Sequence, residues 1–227
     1  MISHELKCIF IHIPKCAGTS IESALGHHDD YSGRDRQDHR SIRMIERPLL
    51  NIYTLRSFGN ITEFLRMLKH KKFNKSPNPR NSIVVNKAQY HEYFKFTIVR
   101  NPWARAFSWY QNVMRDEGHQ RSLGITAELS FKSFLTAYAG TGMLTPQTYW
   151  IKNYKGDVGL DYVGRFEELE QVFSEIQGRL QLEDLEFPHE VKGNKADYKL
   201  HYDDESADLI KKIYSEEIRL FGYSIND

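Results

Sequence analysis

Lys15, Gly18, Thr19 and Ser20 fall in one short run, Ile13-Pro14-Lys15-Cys16-Ala17-Gly18-Thr19-Ser20. Those residue types at that spacing suit the holding of an oxyanion. The lysine brings a full positive charge, the threonine and serine bring hydroxyl donors, and the glycine lets backbone approach a ligand closely. A helix starting here would add its first N–H groups, which have no internal partner and point the same way. The run is not the ATP-binding pattern Gly-x4-Gly-Lys-Ser/Thr, because Gly18 is followed by Thr19 and the lysine stands before it. Nothing downstream reads as a strand ending in an Asp that would hold magnesium. The competing reading is a plain helix N-cap with Lys15 solvated.

A second run, Val99-Arg100-Asn101-Pro102-Trp103-Ala104-Arg105-Ala106-Phe107-Ser108-Trp109-Tyr110, repeats the plan. Arg100 stands where an apolar stretch ends, and Ser108 lies two turns into a helix that Pro102 suits at its first turn. A guanidinium that binds with both arms, joined by a hydroxyl, makes a receptor for a phosphate monoester.

The elements that must position these groups are readable from hydrophobic pattern. Cys8 to His12 is almost continuously apolar and reads as a strand buried on both faces. Thr19 to Leu25 places Ile21, Ala24 and Leu25 on one helical face. Phe94 to Val99 reads as a second strand. Each run is therefore strand, loop, helix.

Together the two runs resemble the sulfotransferases that use 3′-phosphoadenosine-5′-phosphosulfate (PAPS). Ile-Pro-Lys-Cys-Ala-Gly-Thr-Ser is similar to that family's 5′-phosphosulfate loop, and the Arg100 run to its 3′-phosphate site, Arg-x-Pro-x-x-Arg-x-x-Ser-x-Tyr. The likeness is to the branch holding Golgi carbohydrate sulfotransferases and their soluble bacterial relatives. It extends to Met143–Ile151, Asp161–Leu169 and Tyr202–Tyr223, but not to about Pro48–Gln89. The resemblance implies an α/β, P-loop-like three-layer fold, with a central parallel sheet flanked by helices. It implies PAPS as sulfate donor, a carbohydrate or other small-molecule acceptor, and no metal. Lys15, Cys16, Ala17, Gly18, Thr19 and Ser20 would hold the phosphosulfate, and Arg100 and Ser108 the 3′-phosphate. In many relatives a histidine at about the distance of His39 lies beside the accepting hydroxyl. His39 is the matching residue, and a neutral imidazole suits a general base near pH 7. Lys15 and His39 are thus the catalytic candidates, with His27, His28 and His91 as rival bases. Gln147, Tyr149 and Trp150 resemble a segment near the acceptor. Lys192, Lys195 and Lys199 match a loop that closes over the nucleotide. Two other classes stay open: a nucleotide kinase or phosphotransferase on a similar scaffold, and a binding module without transfer.

Composition sets the frame. At 227 residues the chain is long enough for one substantial core, and a single domain over 1–227 is expected, with about 48–89 an insertion. With 40% apolar and 27% charged residues it reads as folded. A net charge of +1 gives no whole-molecule case for nucleic acid or an anionic membrane. No stretch is long and apolar enough to span a bilayer, and Met1 to Lys7 leads straight into the first strand, so a cytoplasmic protein is expected. Oligomeric state is not legible. Cys8 and Cys16 are the only cysteines and make no disulfide framework; a reactive Cys16 thiolate beside Lys15 is the alternative use. His27, His28, Asp29 and Asp30 contain ligand types, but adjacent histidines converge poorly on one ion.

Elsewhere the pattern predicts a loop at Gly26–Gln37, a short helix from Asp38 to Ile45, and a helix packing Ile61, Phe64, Leu65 and Leu68 on the core. The basic run from His70 to Arg80 reads as a loop able to attract an acidic acceptor, or simply as solvated charge. Asp116–Ala127 reads as a loop, Phe131–Tyr138 as a core helix and Asp161–Gly164 as a third strand. Leu169–Leu180 reads as a helix. A final helix from Asp203 should bury Leu209, Ile213, Ile218, Leu220 and Phe221.

Overall fold

A computed structural model describes residues 1–27, 37–46, 52–73, 80–126, 128–182 and 197–227. In chain order the elements begin with β1 (Ile2–Ser3), β2 (Cys8–Ile11), α1 (Gly18–Ala24), α2 (Ile42–Ile45), α3 (Ile52–Leu55), α4 (Phe58–Phe73) and α5 (Lys87–Glu92). There follow β3 (Phe94–Val99), α6 (Pro102–Arg115), α7 (Glu117–Leu123), α8 (Phe131–Tyr138) and α9 (Gln147–Ile151). The last are β4 (Tyr162–Arg165), α10 (Leu169–Leu180), α11 (Asp204–Ile213) and α12 (Ser215–Phe221). They form two compact units, Met1–Val99 with Thr148–Val191, and Arg100–Gln147 with Lys192–Asp227.

The first unit contains the sheet, in the order β1-β2-β3-β4. Strands β2, β3 and β4 run parallel, with Phe10 opposite Phe96 and Phe96 opposite Tyr162. The expected parallel sheet gains one antiparallel edge, since β1 pairs with β2 through a tight return. The fold is of the expected α/β class, a mostly parallel sheet with helices packed on it. Continuous apolar sequence is what lets β2 be buried along its whole length. Its core joins Cys8, Phe10, Phe96 and Ile98 to Ile21 of α1 and to Leu169, Val172, Phe173 and Ile176 of α10. Gly164 is required there: a Cβ on it would stand 2.6 Å from a Val172 methyl, so the glycine sets how closely α10 lies on β4.

Three expectations need correction in this unit. The Asp38–Ile45 helix is confined to Ile42–Ile45, because Asp38 to Ser41 is drawn out by buried polar contacts. The α4 helix forms, but with its inward face rotated: Asn60, Glu63 and Met67 are buried, Ile61 and Phe64 are half-buried, and Leu65 and Leu68 are exposed. The reason is polar. Glu63 accepts from Ser41 Oγ and Tyr149 Oη, and Asn60 accepts from Arg43 at 2.9 Å and donates to the Tyr154 carbonyl at 2.9 Å. These bonds fix α4, and the far edge of the apolar stripe, Leu65 and Leu68, is left outward. The third strand is shifted one residue, to Tyr162–Arg165. Residues 28–36 of the expected loop, 74–79 of the basic run and 48–51 of the presumed insertion lie outside the described residues.

The second unit is helical. Asn101 caps α6, its Oδ1 accepting from Trp103 N at 3.0 Å and Ala104 N at 3.4 Å, with Pro102 at the first turn as expected. Phe107, Tyr110, Phe131, Phe134 and Tyr202 interleave with ring centroids 5.0–5.4 Å apart. Most of the expected Asp116–Ala127 loop is instead helix α7, with Asp116 as N-cap and Gly124 in the left-handed region as its stop; Ala127 lies outside the described residues. The closing helix breaks at Tyr214 into α11 and α12; Ile210, Tyr214 and Glu217 are buried, Leu209, Ile213, Ile218 and Phe221 of the expected face are half-buried, and Leu220 is exposed. The buried Glu217 carboxylate was not expected, and its partners are at the candidate site.

Candidate functional site

The Lys15 loop is the turn from β2 to α1 in the first unit. Lys15 (φ 67°) and Ala17 (φ 60°) both adopt the left-handed conformation, which is unfavourable for residues with a Cβ and recurs where backbone groups are aimed at a ligand. Helix α1 starts at Gly18 with Ala17 as N-cap and no side-chain cap, so the N–H groups of its first turn lack i−4 partners. Lys15 is half-buried, Thr19 is exposed and Ser20 is half-buried. Cys16 is buried, its Sγ contacting the Pro14 carbonyl oxygen at 3.6 Å, so it shapes the turn instead of presenting a thiol. Burial pushes the Cys8 thiol up to about 12. Both cysteines are free and buried.

His39 reaches this loop. The buried Asp38–Arg40 pair, closed by bonds of 2.8 and 3.0 Å from Arg40 Nε and one of 2.5 Å from its Nη2, anchors the residues on either side of it. In extended chain that turns the side chain of residue 39 the other way. Its Nδ1 lies 3.1 Å from the carbonyl oxygen of His12, an acceptor only, so that nitrogen carries the proton. Nε2 lies 3.0 Å from the Gln37 side-chain amide, whose other end is 2.7 Å from Thr19 Oγ1. The amide can serve either ring state. With its N–H toward His39 it satisfies the neutral ring and accepts from the Thr19 hydroxyl; turned over, it accepts from an imidazolium and donates to Thr19. Burial, then the charge of His12, depress the His39 pKa to about 4, against smaller opposing effects of the His12 carbonyl, Glu22 and Asp38. The ring is therefore neutral at pH 7, with its Nε2 lone pair on the side of Thr19. Trp150 lies beside it, ring centroids 6.3 Å apart.

Beneath the loop is a pair that sequence reasoning missed. His12 and Glu22 are almost wholly buried, and His12 Nδ1 lies 3.0 Å from Glu22 Oε2. Burial raises the Glu22 pKa, but the charge and hydrogen bond of His12, with the Met1 ammonium and His27, bring it below the ordinary value. The ring edge abuts Gly18: a methyl there would lie 2.0 Å from His12 Cδ2 and 2.2 Å from Nε2. The available signal was a histidine ending a strand otherwise apolar. Of the rival bases, His27 is buried, His91 is exposed on α5, and His28 lies outside the described residues, as do Asp29 and Asp30.

In the second unit Arg100 is half-buried and its backbone is clamped. Gln147 Oε1 accepts from Arg100 N at 2.8 Å and Gln147 Nε2 donates to the Arg100 carbonyl at 2.8 Å. The buried Glu217 carboxylate holds Gln147 in turn, accepting from its backbone N–H and, at 2.9 Å, from its Nε2. Asn101 Nδ2 donates to the Ser224 carbonyl at 2.6 Å, pinning the next residue. Gln147, expected near an acceptor, thus positions Arg100, and Tyr149 is taken up by Glu63 and Arg66. Ser108 is half-buried on α6. Arg105, fully buried, donates to the carbonyls of Met143 (2.7 Å) and Thr145 (3.1 Å). Lys199 donates to the Asn226 carbonyl at 2.8 Å, while Lys192 and Lys195 lie outside the described residues.

Among the described residues no helix is long and apolar enough to cross a membrane. No curated protein and no solved structure matches the chain. A family model described as the sulfotransferase family matches residues 1–224. With nearly the whole length covered, the chain belongs to the sulfotransferase family.

Proposed function

We propose that the chain moves the sulfuryl group of PAPS to an acceptor hydroxyl, on a carbohydrate or glycosylated molecule, by in-line displacement. The observation that carries this reading is the run from Thr19 through Gln37 to His39, which puts a neutral imidazole two links from a left-handed, lysine-bearing turn. The residues present fit the donor: a cationic turn at a helix start, whose first N–H groups have no i−4 carbonyl within the helix, with two hydroxyls suits its phosphosulfate, and a clamped arginine with a serine suits its 3′-phosphate. The donor supplies an activated sulfuryl group.

The chain's own residues do the rest. Lys15 and the backbone of Cys16 to Ser20 hold the phosphosulfate end and stabilise charge that develops there during transfer. Thr19 and Ser20 orient it. Arg100 and Ser108 grip the 3′-phosphate, the feature that separates PAPS from ATP. His39 Nε2 takes the acceptor proton, while the His12 carbonyl keeps the opposite nitrogen protonated and fixes the tautomer. Gln37 follows that proton by turning its amide.

Calorimetry with 3′-phosphoadenosine-5′-phosphate, AMP and ATP tests the donor assignment: the first should bind far more tightly, and equal binding of ATP with magnesium would favour a kinase. Transfer of radiolabelled sulfate to a panel of sugars, phenols and lipids finds the acceptor. Lys15→Ala should lower turnover about a hundredfold or more, the usual loss for one preorganised donor, with the melting temperature retained. Near-normal turnover in that variant removes Lys15 from the chemistry.

A further inference from the structure

The His12–Glu22 pair is buried and connected on three sides. Its edge nitrogen and carbon lie against Gly18, the first residue of α1 and part of the anion-holding turn. The His12 carbonyl accepts a hydrogen bond from His39 Nδ1–H, N to O 3.1 Å, and the His12 ring stands 4.3 Å, centroid to centroid, from that of His39. Its Nδ1 meets Glu22, one turn into the same helix, at 3.0 Å. A core position filled by two ionisable side chains is a poor choice for stability alone, because burying such groups costs about as much as their pairing returns. Leucine or phenylalanine would extend the apolar row from Phe10.

We propose that His12, held by Glu22, is the positioning residue that registers the proton-accepting imidazole of His39 against the donor turn at Gly18. One rigid ring touches both. It fixes how far apart they stand, and after burial it is the next largest influence lowering the His39 titration. The inference rests on the sulfotransferase reading for its kinetic consequence, but not for its geometry. The groups facing His39 are His12 from the end of β2, Glu22 from α1, Asp38 beside it in the chain, and the neutral Gln37, Thr19 and Trp150.

The test uses the full chain as wild type, His12→Ala and Glu22→Gln. The His39 ring is titrated by NMR without any ligand, and kcat, KM and binding of 3′-phosphoadenosine-5′-phosphate are then measured. In His12→Ala the His39 midpoint should move up toward the ordinary imidazole value, a change that loosened packing far from the ring would not produce. Turnover should fall about a hundredfold, the scale of a misplacement near 1 Å, with KM for the acceptor changed much less. If His12→Ala does not fold, Glu22→Gln keeps the shape of the pair without its charge and should lower kcat about tenfold, in the same direction. An unmoved His39 midpoint together with unchanged kcat in the folded variants overturns the proposal. A wild type that neither binds the bisphosphate nor transfers sulfate sinks the sulfotransferase chemistry instead, and the titration still decides whether His12 governs His39.

Discussion

Gly18→Ala offers a sharp trial of the packing beneath the donor turn. The added methyl would lie 2.0 Å from His12 Cδ2, 2.2 Å from Nε2 and 2.5 Å from Cγ. Carbon atoms rest at about 3.5–4.0 Å, so the ring must retreat by roughly 1.5 Å. It has little room: Glu22 is 3.0 Å away on one side, the His39 ring 4.3 Å on another, and the residue is 2% exposed. Overpacking costs about 1–3 kcal/mol, and pulling His12 from Glu22 forfeits part of the roughly 3–5 kcal/mol lost when a buried pair is broken. Alanine returns less than about 1 kcal/mol of helix propensity at this first position. The net is about 2–4 kcal/mol of destabilisation, a fall in Tm of roughly 4–16 °C for a chain this size. With His12→Ala already in place the obstruction is gone, and Gly18→Ala should be neutral or slightly stabilising. Urea unfolding of the four chains gives the coupling energy. Additivity within about 0.5 kcal/mol would mean that Gly18 and His12 do not meet as described.

Three further outcomes follow from other parts of the molecule. The His39 imidazole, depressed from 6.5 to about 4, binds its proton later in the folded chain than in the unfolded one, so stability should drop as pH falls from about 6.5 to about 4. The loss is on the order of 3 kcal/mol, measured by urea unfolding against pH, and His39→Gln should remove it. Glu217→Ala strands the Gln147 backbone N–H and side-chain amide and should cost at least about 2 kcal/mol, whereas Leu220→Ala on the exposed side of α12 should cost under about 1 kcal/mol; equal costs would refute the clamp. With Cys8 pushed up to about 12 and both thiols buried, Ellman's reagent should label neither at pH 8 in the native protein and both after unfolding.

How much of this was legible follows from what makes a sequence signal periodic. Strand β3 matches its expected bounds because an apolar run is closed by Arg100-Asn101-Pro102, and β2 matches because it is apolar nearly throughout. The strand-loop-helix at Lys15 was readable from residue type and spacing, and His39 was singled out by the family resemblance alone. Their supports were not. Glu22 sits where an acidic residue on a helix reads as solvated, Gln147 as one polar residue among aromatics, and Glu63 and Glu217 as the wet sides of amphipathic helices. All four are buried. An apolar stripe indicates which face can be buried without partners, but not which face has them, and that is why Leu65 and Leu68 of α4 and Leu220 of α12 stand exposed where burial was expected. Helix α7 was a different kind of omission, since Asp116 and Gly124 are ordinary start and stop residues bracketing a polar helix with no stripe to reveal it.

The buried polar groups also explain how a strained turn persists. Lys15 and Ala17 each hold a conformation costing on the order of 1–2 kcal/mol, and glycine at either would relieve it. A glycine turn would also be free to collapse when no ligand is bound. Here the strain is opposed from below by the His12 ring under Gly18, from within by Cys16 against the Pro14 carbonyl, and from the side by Gln37 on Thr19. The first two contacts are shielded from solvent, because His12 and Cys16 are buried, whereas Gln37 and Thr19 are exposed and held by their bonds to each other and to His39. The turn is consequently set before any ligand arrives, which is the condition under which backbone dipoles and a lysine stabilise developing charge without first having to reorganise. The clamp of Gln147 and Glu217 on Arg100 applies the same logic in the other unit: a guanidinium is long and rotatable, and a backbone held at both N–H and C=O removes part of its freedom, which under the proposed function a phosphate would otherwise have to restrict.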